Sequence, residues 1–382
     1  MKKGIFDCTE PSILSWSFEG KTILWLAGFN RYILAEEPAA MVIRRIGEGE
    51  DTCAIMRFCW EEFNLSEDQA ETFVIGIQQQ LQEYLQPEVL PEKQMGTERE
   101  PVFASKKYYL IYGISFFVEY ETKASELLIH PKFEYLEEVK VQKPNHHFQV
   151  FNTGNEYSLH VDGLPVGAWH ITDSHFLSGK FSMQVLQKIY QQKEDDWMAV
   201  FHAAGITDGK NCLMFLGDSG NGKSTLSAIL MAHGLEVLAD DFLPVESHTG
   251  LVCRFPAAIS IKQRAYELLT PFFPKLLQAR EINQPATGKI FRHLPSGQMK
   301  PLRVPCKALI FIKYEKDAEF VFEEMPGEEA FKHLVPDSWI SPTGENANRF
   351  INWFTSLPYY RMVYSDNEQM VQMVKKILND DL

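Results

Sequence analysis

The sequence predicts an α/β protein in which a core built on a strand–loop–helix motif follows a β-rich part and a small amino-terminal α+β domain. Three observations support this prediction. "CLMFLGDSGNGKSTLSAILMAHG" is typical of a buried strand, a glycine loop and a helix, the runs between 108 and 170 alternate as strands do, and a hairpin with three short helices precedes them. The expected domains are 1–88, a linker at 89–105, and 106–382, with the β-rich part at 106–180 and the core at 198–382.

The first domain is predicted from its turn and helix signals. "KTILWLAGFNRYIL" is typical of a hairpin that turns at Gly28 and Asn30, and "EEPAAMVIRRI" of a helix with Pro38 in its first turn. A second helix is expected at 52–63, and a third begins at Ser66, where "SEDQ" matches a capping box. A hairpin with three short helices is the outline of a small winged-helix module.

The segment "QPEVLPEKQMGTEREP" has three prolines and no period, so it is predicted as a linker. The runs "YYLIYGISFFVEYE", "ELLIHP" and "HHFQVFNTGNEYSLHVDGLPVGAWHI" are predicted as strands separated by turns such as Thr153-Gly154 and Asp162-Gly163. A helix at about 182–192 and the strand "WMAVFHAAGI" lead into the core.

Composition narrows the class of protein. Of 382 residues, 45% are apolar and 23% charged, which is the balance of a folded chain. The formal net charge of −14 argues against a nucleic-acid partner, which needs a surplus of Lys and Arg. No run reaches the ~18 apolar residues of a membrane helix, and "MKKGIFDCTE" does not resemble a signal peptide. The six cysteines form no C-x-x-C pair. We therefore expect a cytoplasmic protein with reduced cysteines and no membrane partner.

The loop 217–224, "GDSGNGKS", matches G-x-x-x-x-G-K-[ST] between a strand and a helix. In that setting the glycines let successive backbone N–H groups converge on phosphate oxygens, and the helix N-terminus adds positive potential. Lys223 would reach the β- and γ-phosphates, and the Ser224 hydroxyl would bind Mg²⁺. The candidate nucleotide-binding residues are Gly217, Asp218, Ser219, Gly220, Asn221, Gly222, Lys223, Ser224 and Thr225.

Two adjacent acids, Asp240 and Asp241, follow the apolar run "LEVLA". Sixteen residues lie between Lys223 and Asp240, enough for one helix and one strand, so the acids should end a strand near that of the loop. Of two carboxylates beside a phosphate site, one can hold Mg²⁺ and the other can accept a proton from an attacking hydroxyl.

The segment "FHAAGITDGKNCLMFLGDSGNGKSTLSAILMAHGLEVLADD" resembles the core of the HPr kinase/phosphorylase family, over about residues 198–246. "PAAISIK" and "PLRVPCKALIFIKY" further resemble HPr-kinase-related proteins. The resemblance implies the P-loop fold shared with phosphoenolpyruvate carboxykinase, with ATP and Mg²⁺ as cofactors. By position it implies Asp240 as catalytic base, Asp241 as metal ligand, and His202 beside Asp240, tuning its proton affinity. Since family members form hexamers, it also suggests a homo-oligomer.

The chain differs from that family at two points. Thr225 stands where an acid usually follows the serine, and the E-x-R-G-x-G segment is not found downstream. The cation that a phosphoryl-transfer site needs would then come from elsewhere. The candidates downstream are Arg254, Lys262, Lys289, Arg292 and Arg303.

Residues 13–86 are similar in pattern to PqqD-like domains, winged-helix modules that hold the leader of a peptide undergoing modification. Together the two resemblances imply an ATP-dependent kinase that phosphorylates a hydroxyl, most simply a Ser of a peptide or protein. Two alternatives stay open: a small-molecule kinase, and a nucleotide-switched peptide-binding or chaperone protein without kinase activity. The sequence does not distinguish ATP from GTP or pyrophosphate as donor.

Overall fold

The computed structural model describes residues 13–85, 102–139, 142–284, 288–297 and 300–380. Within them the chain is a mixed α/β protein with several sheets and ten α-helices, so the predicted α/β class is confirmed. Two compact units are present: the described part of Met1–Leu90 together with Pro326–Ser356, and the described part of Pro91–Met325 together with Leu357–Leu382. Elements are numbered in chain order.

The first unit begins with an antiparallel meander. Its strands are β1 (Ile13–Phe18), β2 (Lys21–Leu26) and β3 (Arg31–Ala35). Glu19 and Gly20 both have positive φ, the geometry of a tight hairpin turn that matches strand twist. The expected hairpin, which turns at Gly28 and Asn30, is formed by β2 and β3, and β1 precedes it as a strand that the sequence analysis did not predict.

Three helices follow: α1 (Glu37–Gly47), α2 (Thr52–Phe63) and α3 (Glu67–Tyr84). Ser66 and Gln69 form the expected capping box at the start of α3. Helix α1 packs against β2, and the three helices pack on one another in a shared buried cluster. This cluster includes Leu24, Val42, Ile55, Val74 and Leu81. The winged-helix assignment stays a prediction.

The segment Pro326–Ser356 belongs to this unit, whereas the sequence analysis assigned it to the core. It contains α8 (Gly327–Leu334), β20 (Ser338–Ile340) and α9 (Gly344–Thr355). The Glu19 carboxylate accepts hydrogen bonds from the backbone N–H groups of Gly327 and Glu328, at 3.1 and 3.2 Å, and so caps α8. Local sequence patterns do not reveal such long-range packing.

The second unit begins with the β-rich part. Its strands are β4 (Ser105–Ile111), β5 (Ile114–Tyr120), β6 (His146–Asn152), β7 (Glu156–Val161) and β8 (Leu164–His170). They lie side by side in that order. Most of the predicted linker, 89–101, lies outside the described residues.

Two helices of this part differ from the sequence analysis. The run "ELLIHP" was predicted as a strand, but it lies in α4 (Lys123–Phe133). A short apolar run does not distinguish strand from helix, and here a capping box between Thr122 and Ser125 starts the helix. Helix α5 (Ser174–Tyr190) begins eight residues before the expected start at Ser182.

The core is a large mixed sheet. Its elements are β9 (Trp197–Phe201), β10 (Ala204–Thr207), β11 (Cys212–Leu216), α6 (Lys223–Ala232), β12 (Glu236–Ala239), β13 (Leu243–Glu246), β14 (Leu251–Cys253), β18 (Arg303–Tyr314), β19 (Val321–Glu324), β21 (Tyr359–Tyr364) and α10 (Asn367–Leu378). The order is β12-β10-β11-β18-β14-β13-β9, and β21 pairs with β18 and β19. Strands β11, β18 and β21 are parallel, and β12 is parallel to β11 across the antiparallel β10.

A second, three-stranded sheet contributes to the site. It has the order β15-β17-β16, from β15 (Ile259–Lys262), β16 (Glu281–Gln284) and β17 (Lys289–Leu294), and α7 (Tyr266–Leu269) lies between β15 and β16 in the chain. Helix α6 buries Leu226, Ile229 and Leu230 in the cluster shared by both sheets. This burial fixes the start of α6, and with it the glycine loop.

Two whole-chain expectations can be compared with the described residues. Cys53, Cys59, Cys212, Cys253 and Cys306 are free thiols, and Cys8 lies outside the described part. Within the described ranges, none of the helices combines the length and the hydropathy of a membrane span.

Candidate active site

The glycine loop joins the carboxyl end of β11 to the first residue of α6. Gly217 and Gly222 have φ of 144° and 99°, a backbone conformation that is strained for any residue with a Cβ. A Cβ at Gly217 would lie 2.7 Å from the carbonyl oxygen of Ile312, and one at Gly222 would lie 3.2 Å from Cβ of Tyr314. Both glycines are therefore required by the close approach of the loop to β18.

Lys223 opens α6 with its side chain buried. Its ammonium donates a hydrogen bond to the carbonyl oxygen of Gly217, so it spans the loop from inside. Because Lys223 is the first residue of a helix, the orphan N–H groups of that first turn and the ammonium are at the same end of α6. An anion in the loop would meet both.

The acidic pair lies against this loop. The Ser224 hydroxyl donates a hydrogen bond to Oδ2 of Asp240 at 2.8 Å. Asp240 is only 4% exposed, and its Oδ1 is buried without a hydrogen-bond partner among the described residues. Asp241 has a positive φ of 70° and its side chain is 33% exposed. The two neighbouring carboxylates therefore have different environments, one inside and one at the surface of the site.

Burial is the main reason why the pKa of Asp240 is raised to about 7, and the nearby Asp241 carboxylate raises it further. The Ser224 hydroxyl, the Ser260 backbone and the Lys223 ammonium act in the opposite direction, but they do not compensate fully. The protein groups around the ionised Asp240 therefore supply too little positive charge to compensate its burial. A cation at Oδ1 would supply it.

Replacing Asp240 with asparagine is expected to raise the free energy of unfolding of the nucleotide-free protein at pH 8 by about 1–3 kcal/mol. The folded pKa lies above the unfolded one, so the wild type loses stability relative to the variant as pH rises from ~4 to about 7, where the cost is complete. Thermal melting across this pH range measures the difference.

The control for this prediction is Asp208→Asn. The Asp208 carboxylate accepts backbone hydrogen bonds from Lys210 and Asn211, both at 2.8 Å, so its replacement should lower the melting temperature instead. Equal melting of wild type and Asp240→Asn at every pH would show that the buried carboxylate carries no such cost.

His202 differs from its expected position. It lies between β9 and β10, and its Nε2 is 3.6 Å from Oδ1 of Asp241, whereas the sequence analysis placed it beside Asp240. The reason is that adjacent residues after a strand point in different directions: Asp240 turns inward to Ser224 and Asp241 turns toward His202. His202 is thus the neighbour of the partly exposed carboxylate, that of Asp241.

A cavity of about 850 Å³ extends from the loop between both sheets and helices α4 and α5. Most of the nine candidate loop residues line it, together with both acids and His202; Gly217 and Asn221 do not. The lining also carries Lys132, Lys223, Lys262, Arg264 and Arg280. Four carboxylates, those of Asp218, Asp240, Asp241 and Glu281, line the same cavity, so cations for a polyphosphate and acids for a metal or proton lie together.

The five downstream cations named in the sequence analysis lie at different places, and only some of them are near the cavity. Lys262 lines the cavity. Arg254 does not: it is buried in an ion pair with Glu236 and donates to the Lys300 carbonyl at 3.1 Å. Arg254 therefore has a structural place rather than the expected one in the site.

Two more of these cations lie away from the cavity lining. Arg303 is 3.4 Å from Glu246 and lies over the ring of Tyr190, and Arg292 binds Glu281 at 3.2 Å and lies over the ring of Tyr266. The expected role in the site is not supported by these positions. Lys289 is in β17, and its side chain lies outside the described part.

Arg264 was missed by the sequence analysis, although it closely follows the quoted run "PAAISIK". Its Nη2 donates to the carbonyl oxygen of Gly220 at 2.5 Å, which holds the guanidinium at the mouth of the loop. The sequence signal that could have found Arg264 is its position two residues after Lys262, which ends β15. This strand belongs to the three-stranded sheet, and its end lies next to the glycine loop.

The described residues contain no cluster of three or more His, Cys, Asp or Glu side chains that could hold a metal. Ser224 and the two acids could therefore hold Mg²⁺ only together with oxygens of a bound phosphate, which is the usual arrangement for this ion.

Comparisons with known proteins give a weak likeness among solved structures and no match elsewhere. No protein-family model and no curated protein matches the sequence. Among solved structures, the chain is similar to the HPr(Ser) kinase/phosphatase from Coxiella burnetii, at 10% identity and a TM-score of 0.22, over 48% of this chain and 95% of that chain. A likeness at that TM-score carries no weight for fold or activity, which therefore rest on the geometry of the site.

Proposed function

We propose that the protein is an ATP-dependent kinase that transfers the γ-phosphate to a hydroxyl, a Ser of a peptide or protein. The observation that carries the proposal is the 2.8 Å hydrogen bond between Ser224 and Asp240, which joins the end of the glycine loop to the carboxylate pair. Loop, helix N-terminus and acids then form one site rather than three unrelated features.

The glycine loop binds the phosphates of the nucleotide. Backbone N–H groups of residues 217–224 and the first turn of α6 bind the phosphate oxygens, as described for glycine loops at helix starts. Lys223 exchanges its bond to the Gly217 carbonyl for one to the β- and γ-phosphates. Arg264 and Lys262 face the same space and stabilise the charge that develops during transfer.

The donor set around Asp240 fits Mg²⁺. Its Oδ1 is buried without a partner, and Oδ2 shares a hydrogen bond with the Ser224 hydroxyl, itself an oxygen donor. When bound there with ATP, Mg²⁺ neutralises charge on the phosphates. We therefore propose Asp240 and Ser224 as the metal-binding pair, which reverses the roles that the family resemblance implied for the two acids.

Asp241 is then the group that accepts the proton. It is partly exposed, lines the cavity, and lies beside His202, which can share the proton afterwards. The acceptor oxygen forms a bond to the γ-phosphorus, its proton passes to Asp241, and the bond between γ-phosphorus and the bridging oxygen of ADP breaks. Atoms and charge balance without another reactant.

The peptide or protein acceptor rests on the similarity of residues 13–86 to PqqD-like domains. The cavity of about 850 Å³ is large enough to take a side chain beside the triphosphate. A small alcohol as acceptor is the alternative that the experiment must separate.

Incubating the full chain with Mg²⁺ and ATP labelled in the γ-phosphate is expected to place label on Ser of peptides encoded beside the gene, with less on free small alcohols. Phosphoamino-acid analysis measures the site. Lys223→Ala is the control and should label nothing above background. Label confined to small alcohols would overturn the acceptor class, and slow ATP hydrolysis with no labelled acceptor in any cell extract would overturn the kinase in favour of a nucleotide-switched protein.

A further inference from the structure

The parallel strands of the core end in an informative order. Asp240 follows β12, the glycine loop follows β11, Tyr314 ends β18 and Tyr364 ends β21. In the sheet these strands run β12-β10-β11-β18, with β21 next to β18. Ligands of such sheets bind outside the carboxyl ends of parallel strands. The loop therefore has the acids on one side and two tyrosines on the other.

This order gives the bound triphosphate a direction. The proposed metal and base sites require the γ-phosphate to lie on the β12 side of the loop, near Asp240 and Asp241. The phosphate chain is linear, so the nucleoside must leave the loop at its other end. That end faces the carboxyl ends of β18 and β21, and Tyr314, the last residue of β18, lies there next to Gly222, beside the cavity lining rather than in it.

Tyr314 contacts the glycine loop on one side and is exposed to solvent on the other. Its backbone N–H donates to the carbonyl oxygen of Asn221 at 3.0 Å, and its Cβ is next to Gly222. The buried ring of Tyr364 meets it in a T-shaped contact at 5.6 Å. Nevertheless Tyr314 is 46% exposed to solvent.

We infer that Tyr314 is the nucleobase platform of this site, where the base of the nucleotide stacks on the exposed part of the phenol ring. The inference rests on the proposed function, because it needs a triphosphate in the loop. Stacking recognises the flat face that every base has and reads no edge, so adenine and guanine nucleotides should bind about equally. Base stacking on an aromatic side chain is worth about 1–3 kcal/mol.

The test compares ATP with inorganic tripolyphosphate, which has the phosphates but no base. In isothermal titration in the presence of Mg²⁺, Tyr314→Ala should lower the affinity for ATP about 5- to 150-fold and leave the affinity for tripolyphosphate unchanged. Tyr314→Phe, which keeps the ring, should restore ATP binding. Phe272→Ala removes an equally exposed aromatic ring, at 48%, from the turn after α7 and should change neither ligand.

The ratio of the two dissociation constants separates this inference from the proposed function. If the wild type binds neither ATP nor tripolyphosphate, the phosphate site itself is wrong. If both ligands bind the wild type and Tyr314→Ala weakens both equally, or neither, Tyr314 does not contact the base. GTP affinity far below that of ATP would also contradict a platform that reads no edge.

Discussion

Asp241→Asn is expected to lower kcat for phosphoryl transfer by about 10²- to 10⁴-fold while ATP binding stays near wild type. The variant keeps the size of the side chain but removes the proton acceptor beside His202, and a positioned base contributes this range. Transfer of labelled phosphate to the acceptor peptide gives the rate, and isothermal titration gives the affinity.

The control for this loss is Glu281→Gln, which neutralises another carboxylate of the cavity lining, one paired with Arg292 at 3.2 Å. It should keep the wild-type rate, so a general effect of cavity charge would be visible. If Asp241→Asn transfers phosphate as fast as the wild type, Asp241 is not the base, and Asp240 returns as the candidate that the sequence analysis named.

Asp240→Asn is expected to raise the Mg²⁺ concentration needed for half-maximal transfer by at least about 10- to 100-fold, because that range is already lost when only a hydrogen-bond partner of a metal ligand is removed. The amide oxygen can still accept from Ser224, but it carries no charge for the metal. At low Mg²⁺ the variant should be almost inactive, and activity should return in part at high Mg²⁺. A Mg²⁺ titration of the transfer rate measures this.

The two aspartate variants test the assignment against each other. Excess Mg²⁺ should restore much of the transfer rate of Asp240→Asn, whereas the transfer rate of Asp241→Asn should stay low. The opposite pattern, in which only Asp241→Asn responds to Mg²⁺, would return the roles to those implied by the family resemblance. Equal responses would show that the two carboxylates act as one unit.

Local patterns predicted the parts of the site that are local. The match at 217–224 gave the strand, the loop and the start of α6, and the position of Asp240 and Asp241 after β12 followed from the length of the connection. The capping signals at Ser66 and the turn at Asn30 likewise gave the helices and hairpin of the first unit. In each case a few neighbouring residues determine the backbone.

The features that were missed depend on residues distant in sequence. Arg264 reaches Gly220 because the second sheet packs beside the loop, and the sequence says nothing of that sheet's position. The partner of His202 depends on which way two adjacent carboxylates turn after a strand. Pro326–Ser356 joins the first unit through contacts such as the Glu19 cap on α8, more than 300 positions away in the chain.

The most direct measurement of the central claim is isothermal titration of the wild-type chain and of Lys223→Ala with ATP and with AMP, in the presence of Mg²⁺. Because the loop grips the β- and γ-phosphates, the wild type should bind ATP at least ten times more tightly than AMP, and Lys223→Ala should lose that preference. The account is contradicted if the wild type binds ATP no better than AMP, or if the preference survives without the lysine.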